Sequence, residues 1–135
     1  MTENNEKILS MDINWQLATE KGNCEKIRQL LDDGADVNQK DKYGQTALMN
    51  AAYAGHTELV RLLVERGADL NVTAKYNLSA LMLAVITDHP EIVRILVENN
   101  ADLEIKGSQN FNKTALELAE DFRRSHLIKI IGNYK

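Results

Sequence analysis

At 135 residues, with 44% hydrophobic residues and a formal net charge of −4 at pH 7, the chain has the length and composition of one globular domain. No apolar run approaches the roughly 20 residues that span a bilayer. The single cysteine excludes an internal disulfide framework, and the acidic balance argues against non-specific binding to nucleic acid. Together these features point to a reducing compartment, most simply the cytoplasm.

Taken in chain order, residues 1–10 form a polar, acidic segment with no apolar stretch of secretory type, and residues 1–6 are expected to fray. A first short helix is predicted near 14–21, with Trp15 and Ala18 on its inner side and Gly22 at its end. A second follows from about Cys24 and gives way to Gly34-Ala35-Asp36 and a loop near 36–45. Thr46 then offers a side-chain cap to an Ala-rich helix over 47–54, which Gly55 stops by tolerating a left-handed backbone. Leu59, Val60, Leu62, Leu63 and Val64 define the apolar face of the next helix, with Glu58, Arg61, Glu65 and Arg66 on its wet side. Gly67 ends it, and a projecting loop is expected near 69–78.

The same order then recurs. Ser79, Leu81, Ala84 and His89 stand 33 residues after Thr46, Leu48, Ala51 and His56. Asp88 replaces Gly55, and Pro90 opens the following helix, where its missing N–H costs nothing. Thr114, Leu116 and Ala119 come 35 residues after Ser79, Leu81 and Ala84, so two residues are inserted in the loop near 102–113. Inner helices are therefore predicted near 80–87 and 115–122, and the final helix stops at Gly132. A fixed period of this size means a stacked repeat protein, in which each unit buries its apolar face against its neighbours.

The motif Thr46-Ala47-Leu48-Met49, Gly55-His56, the Leu-rich second helix, Gly67-Ala68-Asp69 and the 33-residue period resemble the ankyrin repeat over about residues 12–133. The Pro and His of the family's Thr-Pro-Leu-His are absent: Ser79-Ala80-Leu81-Met82 and Thr114-Ala115-Leu116-Glu117 depart from it as the second unit does. Weaker turn hydrogen bonding is expected from that loss, with no change of fold. The resemblance implies a mainly α fold, a solenoid of four stacked helix-turn-helix units with projecting, β-hairpin-like loops. The units are placed at about 11–40, 41–73, 74–106 and 107–135, forming a single domain over 11–135. Charges on the first and last units mark them as caps, as expected of a complete small protein.

The titratable residues point away from catalysis. His56 and His89 occupy equivalent places in stacked units, about 8–10 Å apart, too far to share a zinc ion that holds nitrogen at about 2.0–2.1 Å. Each is expected to bond loop backbone between helices, and His126 to be solvated. Cys24 sits where a helix N-terminus can lower a thiol pKa, but no base or cleft stands beside it in the pattern. The pairs Asp32-Asp33 and Glu120-Asp121 match solvated helix ends, and the glycines recur singly and form no phosphate loop. No enzyme activity, metal or cofactor is expected.

The aromatic residues carry more information. Of the seven, Tyr43, Tyr53, Tyr76, Phe111 and Phe122 map to loop tips or the inner-helix edge, a strip that is continuous and concave in a curved stack. Lys40, Lys42, Lys75, Lys106 and Lys113 follow the same loops, opposed by Asp41 and Glu104. The predicted partner-binding set is Lys42, Tyr43, Gln45, Tyr53, Lys75, Tyr76, Leu78, Ile86, Phe111 and Lys113, with aromatic anchors and rim lysines. The competing explanation for Tyr43 and Tyr76 is that they stack on neighbouring loops. The expected partner is another protein with an acidic or mixed surface, bound by a monomer acting as an adaptor, a steric inhibitor or a secreted effector. Membranes and nucleic acid are not expected as partners. The alternative is a small-molecule-binding or enzyme-associated regulatory subunit, which requires a deep pocket with perturbed titratable groups. Arg28, Arg61, Arg94 and Lys129 recur at one helical position and are assigned to a solvated convex face.

Overall fold

The computed structural model describes residues 2–134, with side chains from residue 12 onward. Its described residues form eight α-helices: α1 (Thr2–Lys21), α2 (Cys24–Asp32), α3 (Ala47–Ala54), α4 (Thr57–Glu65), α5 (Ala80–Ile86), α6 (Pro90–Glu98), α7 (Ala115–Asp121) and α8 (Ser125–Gly132). Consecutive helices pair as α1/α2, α3/α4, α5/α6 and α7/α8. The odd-numbered helices pack in one row and the even-numbered in a second.

Local chemistry sets the helix ends. The side chains of Thr46, Ser79 and Thr114 accept from the backbone N–H of Met49, Met82 and Glu117, three residues on. At Thr114 the bond is reciprocal, because the Glu117 carboxylate accepts from the Thr114 N–H. Those hydrogen bonds hold the Glu117 carboxyl below its ordinary pKa. The inner helices fall within a residue of the predicted ranges except the first. From Thr2 the backbone is helical without a break, where a start near residue 14 and a frayed end over 1–6 were expected. The cause is legible afterwards: residues 2–21 contain neither Gly nor Pro, so nothing halts a helix before Gly22. The remainder of that expectation, on Met1 and on the side chains before residue 12, lies outside the described residues.

The core repeats with the sequence. Trp15, Leu48 and Leu81 are buried at equivalent places, and Leu116 is half-buried in the same row. Ala18, Ala51, Ala84 and Ala119 form a second buried row, where a methyl group lets neighbouring helices approach closely. Leu30, Leu63, Leu96 and Ile131 form a third on the outer helices.

Of the three loops, only the first closes like a hairpin, through an isolated antiparallel bridge between Lys40 and Thr46. Asp41 explains the difference. Its Oδ1 accepts from the backbone N–H of Tyr43 at 2.8 Å and of Gln45 at 3.0 Å, and its Oδ2 accepts from Asn50 at 3.2 Å. Ala74 stands in that place in the next unit and can do neither. Instead, short 3₁₀ turns form at Lys75–Asn77 and Gln109–Phe111, joined by bonds from Ser108 N–H to the Tyr76 carbonyl and from the Asn77 amide to the Lys106 carbonyl. Gly107, in the loop that carries the insertion, is required by close approach, since a Cβ there would overlap the Phe111 carbonyl. A further ladder ties the loops: the side-chain amide oxygens (Oδ1) of Asn38 and Asn71 accept from the Asp69 and Asp102 backbone N–H, each at 2.8 Å.

Candidate partner-binding site

The repeat register brings α1, α3 and the first loop around one groove of about 730 Å³. Asp12, Gln16 and Glu20 line it from α1, Asn50 from α3, and Lys40, Lys42, Tyr43 and Gln45 from the loop. The Asp41 cap fixes the loop backbone on either side of Tyr43, so the ring is presented by an ordered turn and not by a mobile tip. Tyr43 remains 68% exposed, and the Lys42 ammonium lies 5.2 Å from its ring centroid. Tyr53, on the edge of α3, is 58% exposed.

Not all ten predicted residues share this setting. Lys42, Tyr43 and Gln45 line the groove. Tyr76 and Phe111 instead stack on each other, with centroids 5.5 Å apart and planes tilted by 50°, and both are half-buried against the core. Here neighbouring loops stiffen one another through the rings, the competing explanation for such residues. Lys75 lies 5.0 Å from the Tyr76 centroid. Lys113 is ion-paired with Asp121 of α7 and so is not a free cation on the strip. Leu78 is corrected outright: it is only 7% exposed, because its side chain turns into the core one residue before the Ser79 cap. Ile86 is half-buried against the core.

The histidines serve the joints between units. His56 Nε2 lies 2.9 Å from the Glu20 carbonyl and His89 Nε2 lies 3.3 Å from the Tyr53 carbonyl, satisfying oxygens left open at the ends of inner helices. At the third joint Arg124 stands in the histidine's place and its Nη2 donates to the Ile86 carbonyl at 3.0 Å. The residue beneath each ring is glycine: a Cβ on Gly22 or Gly55 would come within 2.8 or 2.6 Å of the imidazole. Where arginine replaces histidine, Asp88 replaces that glycine in the same left-handed conformation, at φ 58°. Its carboxylate meets Arg124 at 3.2 Å and His126 at 2.7 Å. His126 is therefore paired rather than alone, while its side chain stays exposed as expected. The His126 hydrogen bond, aided by the Arg124 charge, holds the Asp88 carboxyl below its ordinary pKa. Cys24 is half-buried, and that burial pushes its thiol up despite the lowering charge of Arg28, the opposite of activation at a helix N-terminus.

Comparison with protein families adds one finding. The model for ankyrin repeats (3 copies) matches residues 15–107 and again 69–133. The chain belongs to the ankyrin-repeat family. No curated protein matches it. Ankyrin repeats are generally protein–protein interaction modules and are typically non-enzymatic. Among the described residues, no helix of this ankyrin-repeat chain is long and apolar enough to cross a membrane.

Two features of the site went unseen in the sequence. The α1 wall was missed because the predicted strip followed aromatics alone. Carrying the period backwards from Tyr53 reaches Glu20, which would have marked that face of the first helix. Arg124 was missed because it was grouped with the charges of a polar cap. Counting 35 residues from His89 would have placed it at the joint.

Proposed function

We propose that this ankyrin-repeat protein is a non-enzymatic interaction module, an adaptor or steric inhibitor, that grips one protein partner through its concave loop and inner-helix surface. The observation that carries the reading is the pair Tyr43 and Tyr53, the two most exposed aromatic rings among the described residues, which stand beside the groove. Such rings add little to folding and are frequent interface anchors. The working protein is a monomer acting in the cytoplasm.

Lys42 and Lys75 lie on the same side and set association rate and salt dependence, as hydrated rim charges do. The convex face supports the assignment by contrast. Arg61 there is engaged with Glu58 at 3.4 Å and Glu91 at 3.1 Å, and Arg66 with Asp32 at 2.6 Å, in exposed pairs along the outer helices. Affinity capture of the native partner tests the reading. Tyr43→Ala with Tyr53→Ala should cost at least about 2 kcal/mol of affinity, and charge reversal of Arg61 and Arg94 should leave it unchanged. Loss of binding in the arginine variant alone places the partner on the outer face and refutes the assignment.

A further inference from the structure

The groove beside α1 has two walls of opposite charge. On the helix wall, Asp12, Gln16 and Glu20 follow one another at four-residue spacing and all face the cavity. Asp12 and Glu20 make no ion pair among the described residues. On the loop wall stand Lys40, Lys42 and Tyr43. Asp41, between them, is committed to the turn by its three hydrogen bonds.

The spacing matches a particular ligand geometry. Four residues of α-helix advance about 6 Å, so Asp12 and Glu20 lie about 12 Å apart along the axis. An extended chain advances about 3.3 Å per residue and presents alternate side chains to one side. Residues i, i+2 and i+4 of an extended segment, spanning about 13 Å, therefore fall opposite Asp12, Gln16 and Glu20 in turn. The Gln16 amide has both donors and an acceptor, which suits the polar backbone or a polar side chain at the middle position.

We infer that this groove takes an extended segment of a partner protein with basic side chains four residues apart, seated on Asp12 and Glu20, while its intervening residues face Lys40, Lys42 and Tyr43. The inference rests on the interaction role proposed above and adds the partner's charge register. The basic residues belong on the helix wall because its carboxylates are uncompensated. Acidic or aromatic residues belong on the opposite side, against the lysines and the tyrosine ring.

Fluorescence anisotropy at low salt, about 30 mM, where exposed charges are weakly screened, tests it with labelled synthetic peptides. One probe carries two lysines four residues apart in a Ser/Thr background. A second, of identical composition, carries them three apart, on opposite sides of an extended chain. A third has glutamates in place of the lysines of the first. The first probe should bind at least about ten-fold more tightly than the second, and Asp12→Asn with Glu20→Gln should abolish that preference. Both substitutions lie at exposed positions, and an unchanged circular dichroism spectrum will show the fold intact. Equal binding of the two lysine probes, tightest binding of the glutamate probe, or no binding of any probe overturns the inference. A native partner whose capture depends on Tyr43 and Tyr53 but ignores the Asp12/Glu20 variant leaves the interaction role standing and removes only the charge register. Capture insensitive to either variant removes both.

Discussion

Replacing Gly55 with alanine isolates the joint between the second and third units. Two separate costs meet there. The backbone is left-handed at φ 82°, which costs an L-residue roughly 1–2 kcal/mol. The new Cβ would also lie 2.6 Å from His89 Cε1 and 3.0 Å from Nε2, so the imidazole must move and give up its contact with the Tyr53 carbonyl. A lost hydrogen bond of this kind costs about 1 kcal/mol. The sum is about 2–3 kcal/mol. Gly67→Ala is the control: φ is 81°, but nothing lies within 4 Å of its Cβ, so the conformational cost of about 1–2 kcal/mol stands alone. Urea unfolding followed by circular dichroism at 222 nm, with the same slope assumed for both variants, reads the difference directly. The joint between the third and fourth units supplies the rescue, since it uses Asp88 with Arg124. Gly55→Asp combined with His89→Arg should be more stable than the sum of the two single effects predicts. If Gly55→Ala proves no worse than Gly67→Ala, the imidazole does not depend on the missing side chain and the reasoning fails.

Leu63→Ala, at a position with no exposed surface, should destabilise by roughly 2–5 kcal/mol in the same assay, and a loss under about 0.5 kcal/mol contradicts the repeat register. Asp88→Asn keeps a residue that tolerates the left-handed backbone and tests the ion pair with Arg124 and the hydrogen bond with His126. Because the folded-state pKa of Asp88 lies below its ordinary value, its contribution is present above about pH 4 and is lost as pH falls through the folded value. Wild-type and variant stabilities should therefore differ at neutral pH and converge in acid, and a difference independent of pH refutes the ionic role.

The residues that announced the fold act locally. Thr46, Ser79 and Thr114 start helices through their own hydroxyls, and Gly55, Gly67 and Pro90 stop or start them through their own backbone, so their spacing transferred directly into structure. The site was less legible, because its residues act through partners distant in sequence. Tyr43 and Tyr76 are equivalent in the period, yet one is exposed and the other is covered by Phe111 across an insertion whose path the sequence does not declare. Leu78 lies beside loop residues in the chain and beside core residues in space. His126 found Asp88 from the neighbouring unit, a pairing that exists only because glycine gave way to aspartate there.

The Asn38 and Asn71 ladder on the loop side and the His56, His89 and Arg124 bonds at the inner-helix ends run as two ties along the stack, one at each end of the inner helices. Bending the stack in the plane of those ties must stretch one of them, as a beam resists flexure at its outer fibres. The Ser108 and Asn77 bonds join the same second and third loops as the Asn71 bond to Asp102, whereas the first and second loops are joined by the Asn38 bond to Asp69. Stiffness in that plane therefore rises from the first pair of loops to the second, and a partner that straightens or curls the stack would meet its change in resistance there.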